Sequence, residues 1–153
     1  MSEIKYAIRY FSREGSTKKL ADAIAEELGI IAYDVNEPLV DPVDVLFLGG
    51  AVYRNDLDFE FRSFIETLDS ELVGEAVVFS ISSGNKMPYD VVKAILDEKG
   101  IKLNEKTYFC KGKKLFMNAG HPDIDDLKAV KIFARGIARE KEDKWVYLRE
   151  KKK

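Results

Sequence analysis

Tyr6-Ala7-Ile8-Arg9-Tyr10-Phe11, followed at once by Ser12-Arg13-Glu14-Gly15-Ser16-Thr17, is the stretch that decides the fold. The first half is a β-prone apolar run, and the second carries hydroxyls and a glycine. From Thr17 the period turns helical: Leu20, Ala21, Ile24, Ala25 and Leu28 share one face, charges lie opposite, and Gly29 stands where a helix would stop. A strand that feeds a helix through a short loop opens a β-α-β unit, and the chain repeats the pattern. Ile30 to Val35 reads as a second strand, and Val43 to Leu48 as a buried third strand that finishes in a Gly49-Gly50 turn. Phe59, Phe64, Ile65 and Leu68 predict a helix, and Ala76 to Ile81 a fourth strand running into Ser82-Ser83-Gly84-Asn85. A third helix opens at Pro88, carries Val91, Val92, Ile95 and Leu96, and closes at Gly100. Thr107 to Phe116 reads as a fifth strand with a bend at Lys111 to Lys114, and Pro122-Asp123 starts a last helix striped with Leu127, Val130, Phe133, Ala134 and Ile137. Such alternation implies right-handed crossovers and an α/β three-layer sandwich: a five-stranded, parallel, doubly wound sheet covered on both faces.

Composition narrows the function classes. A chain of 153 residues fits one core; residues 1–144 read as the domain and residues 145–153, with Trp145 and Tyr147, as a charged C-terminal extension. Hydrophobic residues make up 46% and charged residues 34%, a globular composition. The N-terminus has no signal pattern, and no apolar run approaches the roughly 20 residues of a bilayer span, so the expectation is a cytoplasmic protein without a membrane span. The lone Cys110 excludes an internal disulfide, suits a reducing compartment and reads as a small apolar residue in a strand. A net charge of -2 gives no broad basic surface for nucleic acid. The single histidine, His121, makes no metal site, and Asp123, Asp125 and Asp126 read as dipole partners of the last helix. Arg9, in a strand that should be buried, must reach a carboxylate such as Asp34 or emerge near the strand end.

In an open parallel sheet the ligand crevice lies beyond the carboxyl ends of the strands, where the winding reverses. Three loops meet that description: Ser12 to Thr17, Gly49 to Asp58, and Ser82 to Pro88. In the first, helix-terminal N–H groups and the hydroxyls of Ser12, Ser16 and Thr17 suit a phosphate, although the same residues are also common helix caps. In the other two, Tyr53 offers a flat aromatic surface or is an ordinary loop tyrosine. Asn85, with the backbone of Ser83 to Lys86, offers hydrogen bonds to a polar ring edge or is part of a tight turn.

Ser12, Gly15 and Thr17 match the Thr/Ser-x-Thr-Gly-x-Thr fingerprint, and here the sequence resembles the short-chain flavodoxin family. Leu46 to Tyr53 and the Ser82 to Asn85 loop look like the family's two ring-flanking segments, so the resemblance covers nearly the whole chain. It implies a flavodoxin-like sheet of strand order 2-1-3-4-5 and flavin mononucleotide (FMN) as cofactor. The residues it assigns to FMN are Ser12, Arg13, Glu14, Gly15, Ser16, Thr17, Gly50, Ala51, Val52, Tyr53, Ser82, Ser83, Gly84, Asn85 and Lys86, with no side chain acting as acid, base or nucleophile. The implied function is electron transfer to a redox partner protein or a small-molecule acceptor, by a monomer or homodimer.

Two departures keep other readings open. Glu14 stands where the family has a phosphate-touching hydroxyl, and a carboxylate there repels a phosphate dianion unless it turns outward or pairs with Arg13. Tyr53-Arg54-Asn55-Asp56 lacks the glycine that lets many flavodoxins flip a peptide beside the flavin. The alternatives are an FMN-dependent NAD(P)H:quinone-type reductase and a flavodoxin-like module that has lost its cofactor.

Overall fold

The computed structural model describes residues 4–13, 15–53, 56–82, 89–111 and 122–151, with backbone alone for 51–53, 56, 57, 82 and 111. In chain order the elements are β1 (Tyr6–Tyr10), α1 (Ser16–Leu28), β2 (Ala32–Asp34), β3 (Val43–Tyr53), β4 (Asp56–Leu57), α2 (Phe59–Glu66), β5 (Val73–Ser82), α3 (Tyr89–Glu98), β6 (Lys102–Leu103), β7 (Tyr108–Lys111) and α4 (Ile124–Lys151).

The apolar runs that predicted buried strands become the sheet. Its order is β2-β1-β3-β5-β6, with β7 also on β5 and every one of these pairings parallel. The fifth position thus consists of two short strands. β6 pairs Lys102 with Glu75 and Leu103 with Ala76, whereas β7 pairs Tyr108 to Lys111 with Phe79 to Ser82. Between them the Asn104 N–H donates to the Ala76 carbonyl at 2.8 Å and the Thr107 hydroxyl to the Val78 carbonyl at 2.7 Å, so β5 stays satisfied where the ladder lapses. The expected Thr107 to Phe116 strand is corrected accordingly: pairing begins at Lys102, and residues 112–121 lie outside the described part. Counted by position, the order is the expected 2-1-3-4-5.

Period-two alternation along the central strands sends successive residues to opposite faces. Ile8, Val45, Phe47, Val77 and Phe79 meet Leu20, Ile24, Val130, Ala134 and Ile137 of α1 and α4. Leu46, Leu48, Ala76 and Val78 meet Phe61, Ile65, Val92 and Leu96 of α2 and α3. Helices on both faces complete the three layers and place the reversal of winding between β1 and β3.

Gly49 and Gly50 do not form the expected turn. They lie inside β3, opposite Phe79 and Ser80 of β5, and the strand runs on to Tyr53 before pairing antiparallel with β4. A Cβ on Gly49 would stand 2.2 Å from the Phe79 ring, and one on Gly50 would stand 2.5 Å from the Phe61 ring. Two aromatic rings therefore occupy the space that side chains would need, one on each face of the sheet.

Arg9 is 7% exposed, and its partners are main-chain oxygens rather than Asp34. It donates from Nε to the Glu37 carbonyl at 2.8 Å, from Nη2 to that of Pro38 at 3.2 Å and from Nη1 to that of Ile8 at 3.0 Å, and it lies over the Tyr33 ring. Burial lowers its pKa while the Glu37 carboxylate pulls it up, and a guanidinium stays charged throughout. Its work is to fasten the β2–β3 connection to β1.

α4 keeps its helical course through residue 145 to Lys151. Ion pairs from Lys131 to Glu26 and from Arg135 to Glu27 join it to α1, and Lys141 pairs with the buried Glu75 near the start of β5. No helix among the described residues is long and apolar enough to cross a membrane.

Candidate functional site at the carboxyl edge of the sheet

β1 and β3 pair as far as Tyr10 and Gly49, and the Phe11 N–H still donates to the Gly49 carbonyl at 2.9 Å. Beyond that point the two strands part. β1 turns through Ser12 to Gly15 into α1, while β3 continues as Gly50 to Tyr53 and folds back as β4.

The turn after β1 is organised by its own side chain. Ser12 Oγ accepts the Gly15 N–H at 2.9 Å, which closes the loop over two intervening residues. Gly15 occupies the left-handed region at φ 91°, where an L side chain would be strained, and apart from its chain neighbours no atom of the described residues stands within 4 Å of where its Cβ would be. Gly15 is the cap residue of α1, and among the described residues the helix has neither a side-chain cap nor an acidic residue in its first turn. Its leading N–H groups, which lack intrahelical partners in any α-helix, stand at the positive end of the helix dipole. Thr17 is buried at the base of the loop, and Ser16 is partly exposed beside it.

This donor set fits a phosphate, with one adjustment to the sequence-based expectation. The Gly15 N–H is already engaged by Ser12, so its contribution is conformational: it opens the nest in front of the following amides. Ser12 Oγ accepts in that bond and keeps its own proton for donation.

Arg13 pairs across the rim. Nε and Nη2 reach Asp58 Oδ2 at 3.1 and 2.8 Å, and the Asp58 side chain is 7% exposed. Asp58 Oδ1 accepts the Glu60 N–H at 3.0 Å, so the same carboxylate caps α2. Sequence reasoning missed this tie. The signal available was an aspartate directly before the first helical residue, which predicts a cap and says nothing of Arg13.

The remaining expected residues are placed unevenly. Gly50 is buried in β3 against Phe61. The backbone of Ala51, Val52 and Tyr53 continues that strand along the crevice, and Ser82 ends β5; the side chains of these four lie outside the described part. Glu14, Ser83, Gly84, Asn85 and Lys86 lie outside it altogether. Below Ser82, Ser80 is fully buried, and its Oγ has no hydrogen-bond partner among the described residues. A separate open groove of about 320 Å³ lies behind α2, between Val35 and Pro38 on one side and Phe59 and Phe64 on the other.

Other polar groups have structural roles. Asp123 and Asp126 cap the start of α4 reciprocally: the Asp126 N–H donates to Asp123 Oδ1 at 2.9 Å and the Asp123 N–H to Asp126 Oδ2 at 2.8 Å. Cys110 is 3% exposed on β7, and burial, reinforced by Asp126, pushes its thiol up to about 12. It is a core residue, as its setting in a strand implied.

Residues 7–113 match the family of flavodoxin domains. The chain belongs to that family. The match takes in β1, the α1 loop, the extended end of β3 and the β5 end, which together make up the rim of this flavodoxin domain. An uncharacterised protein of Methanocaldococcus jannaschii is 26% identical over 138 residues, covering 81% of this chain and 91% of that protein. Among solved structures, a flavodoxin from the domain Archaea superposes with a TM-score of 0.68 at 14% identity, over 90% of this chain and 98% of that one. Flavodoxin 2 from Bacillus cereus gives 0.66 at 22% identity, over 89% and 99% of the two chains. The rubredoxin oxygen:oxidoreductase of Desulfovibrio gigas also gives 0.66, at 17% identity, with 89% of this chain matched to 35% of that one. At these identities the structural likeness is one of fold.

Proposed function

We propose that the protein binds FMN at the carboxyl edge of its sheet and passes electrons to a partner protein or small-molecule acceptor. The observation that carries the reading is the start of α1: a helix of a flavodoxin domain that opens on a left-handed glycine, without a side-chain cap among the described residues, beside a hydroxyl-bearing turn. Ser12, through its hydroxyl, and the amides of Ser16 and Thr17 hold the phosphate. Tyr53 and the Ser83 to Lys86 loop flank the ring. When bound, the flavin supplies the redox chemistry, and the protein orients it, restricts water and sets its potential.

The test is the visible absorbance of the purified protein before and after addition of FMN and removal of the excess. Retained, shifted flavin bands support the reading. A colourless protein that cannot be reconstituted overturns it and leaves a cofactor-free binding module.

A further inference from the structure

We propose that Asp58 is a positioning residue for the phosphate loop, acting through Arg13; the inference rests on the FMN reading of the rim. Past the Phe11 N–H to Gly49 carbonyl bond, β1 and β3 diverge, and the loop after β1 leaves the sheet. Arg13 lies inside the turn that Ser12 Oγ closes on the Gly15 N–H, so whatever holds Arg13 holds the turn. Two of its guanidinium nitrogens land on one oxygen of a carboxylate that is 7% exposed and lies 45 residues further along the chain. The other oxygen of that carboxylate is fixed on the first turn of α2. Asp58 therefore has little freedom, and Arg13 is held by an anchored group rather than by a mobile one.

One end of the crevice is thereby fastened to the other. Arg13 and Asp58 carry opposite charges, so the pair adds no net charge at the phosphate and acts by ordering the loop before the ligand arrives. Ordering should favour FMN, which has a phosphate to place there, and should leave riboflavin, which has the same ring and no phosphate, unaffected.

Asp58→Asn separates the two tasks of the residue. Asparagine caps a helix as well as aspartate does, so α2 keeps its cap, while the charged partner of Arg13 is lost. The first readout needs no flavin: in the flavin-free protein, amide exchange at Gly15 and Lys19, whose N–H groups donate to Ser12 Oγ and to the Gly15 carbonyl, should quicken. The second is affinity: FMN should weaken about fivefold, the upper range for a partly exposed ion pair, with riboflavin unchanged. Arg13→Gln should reproduce both effects, and the double variant should add nothing. Unchanged exchange at the two amides, or equal weakening of FMN and riboflavin, would overturn the proposal. Wild-type protein that binds neither flavin would overturn the FMN reading instead, and the exchange comparison would still decide whether Asp58 holds the loop.

Discussion

α1 and α2 both begin at the carboxyl edge of the sheet, a few residues from the ends of neighbouring strands, and they begin in opposite ways. α2 starts on Asp58, whose carboxylate takes the Glu60 N–H, and carries Glu60 in its first turn. α4 is closed in the same manner by Asp123 and Asp126. α1 starts on a left-handed glycine with no side-chain cap among the described residues and no acid in its first turn. Since a helix terminus left without partners is a standing cost of stability, the FMN reading proposed above makes the phosphate the partner of α1, whereas the partner of α2 is built in.

The largest effect should come from giving α1 what α2 has. Ser16→Asp places a carboxylate in the first turn of α1, where the helix dipole favours it in the flavin-free protein and an incoming phosphate dianion meets like charge; FMN affinity should fall on the order of a hundredfold by fluorescence titration. If affinity is unchanged, the phosphate does not sit at α1. Taking away what α2 has should cost stability instead: Asp58→Ala, losing both the cap and the Arg13 partner, should lower unfolding free energy by about 1–2 kcal/mol in urea denaturation. A change below experimental error would mean that water replaces the cap. The smallest effect should be Gly15→Ala, at about 1 kcal/mol, because the residue is forced into the left-handed region although no described residue beyond its chain neighbours obstructs its Cβ. Gly15→Asn should recover part of that loss, since asparagine tolerates the left-handed region better than alanine does.

The fold was legible because periodicity reports burial, and burial is what the layers of this domain share. Phe47, Phe79, Leu20 and Ile137 could each be placed from spacing alone. Gly49 and Gly50 misled because glycine signals both a turn and a gap for a neighbour's ring, and only the register of Gly49 against Phe79 tells the two apart. β6 was missed because Lys102 and Leu103 are too few to show a period. At the site, the loop after β1 was legible from its hydroxyls and glycine. The hold of Asp58 on Arg13 was not, because a contact between residues 45 positions apart leaves no spacing in the sequence. The same applies to Arg9: a buried cation predicts a partner, and carbonyls, which every residue has, cannot be singled out by residue type.

α4 is 28 residues long, about 42 Å at 1.5 Å per residue, and it runs from Asp126, whose carbonyl accepts the Tyr108 hydroxyl, to Lys141 beside Glu75 near the start of β5 and beyond. Its pairing of Lys141 with Glu75 sits at the edge of the sheet opposite the rim, and the helix continues for ten residues beyond it. Any handle attached at that end, whether a fluorophore, a surface tether or a fused protein, therefore projects away from the crevice. A molecule immobilised there would present its rim to solution, open to diffusing reagents and turned from the support.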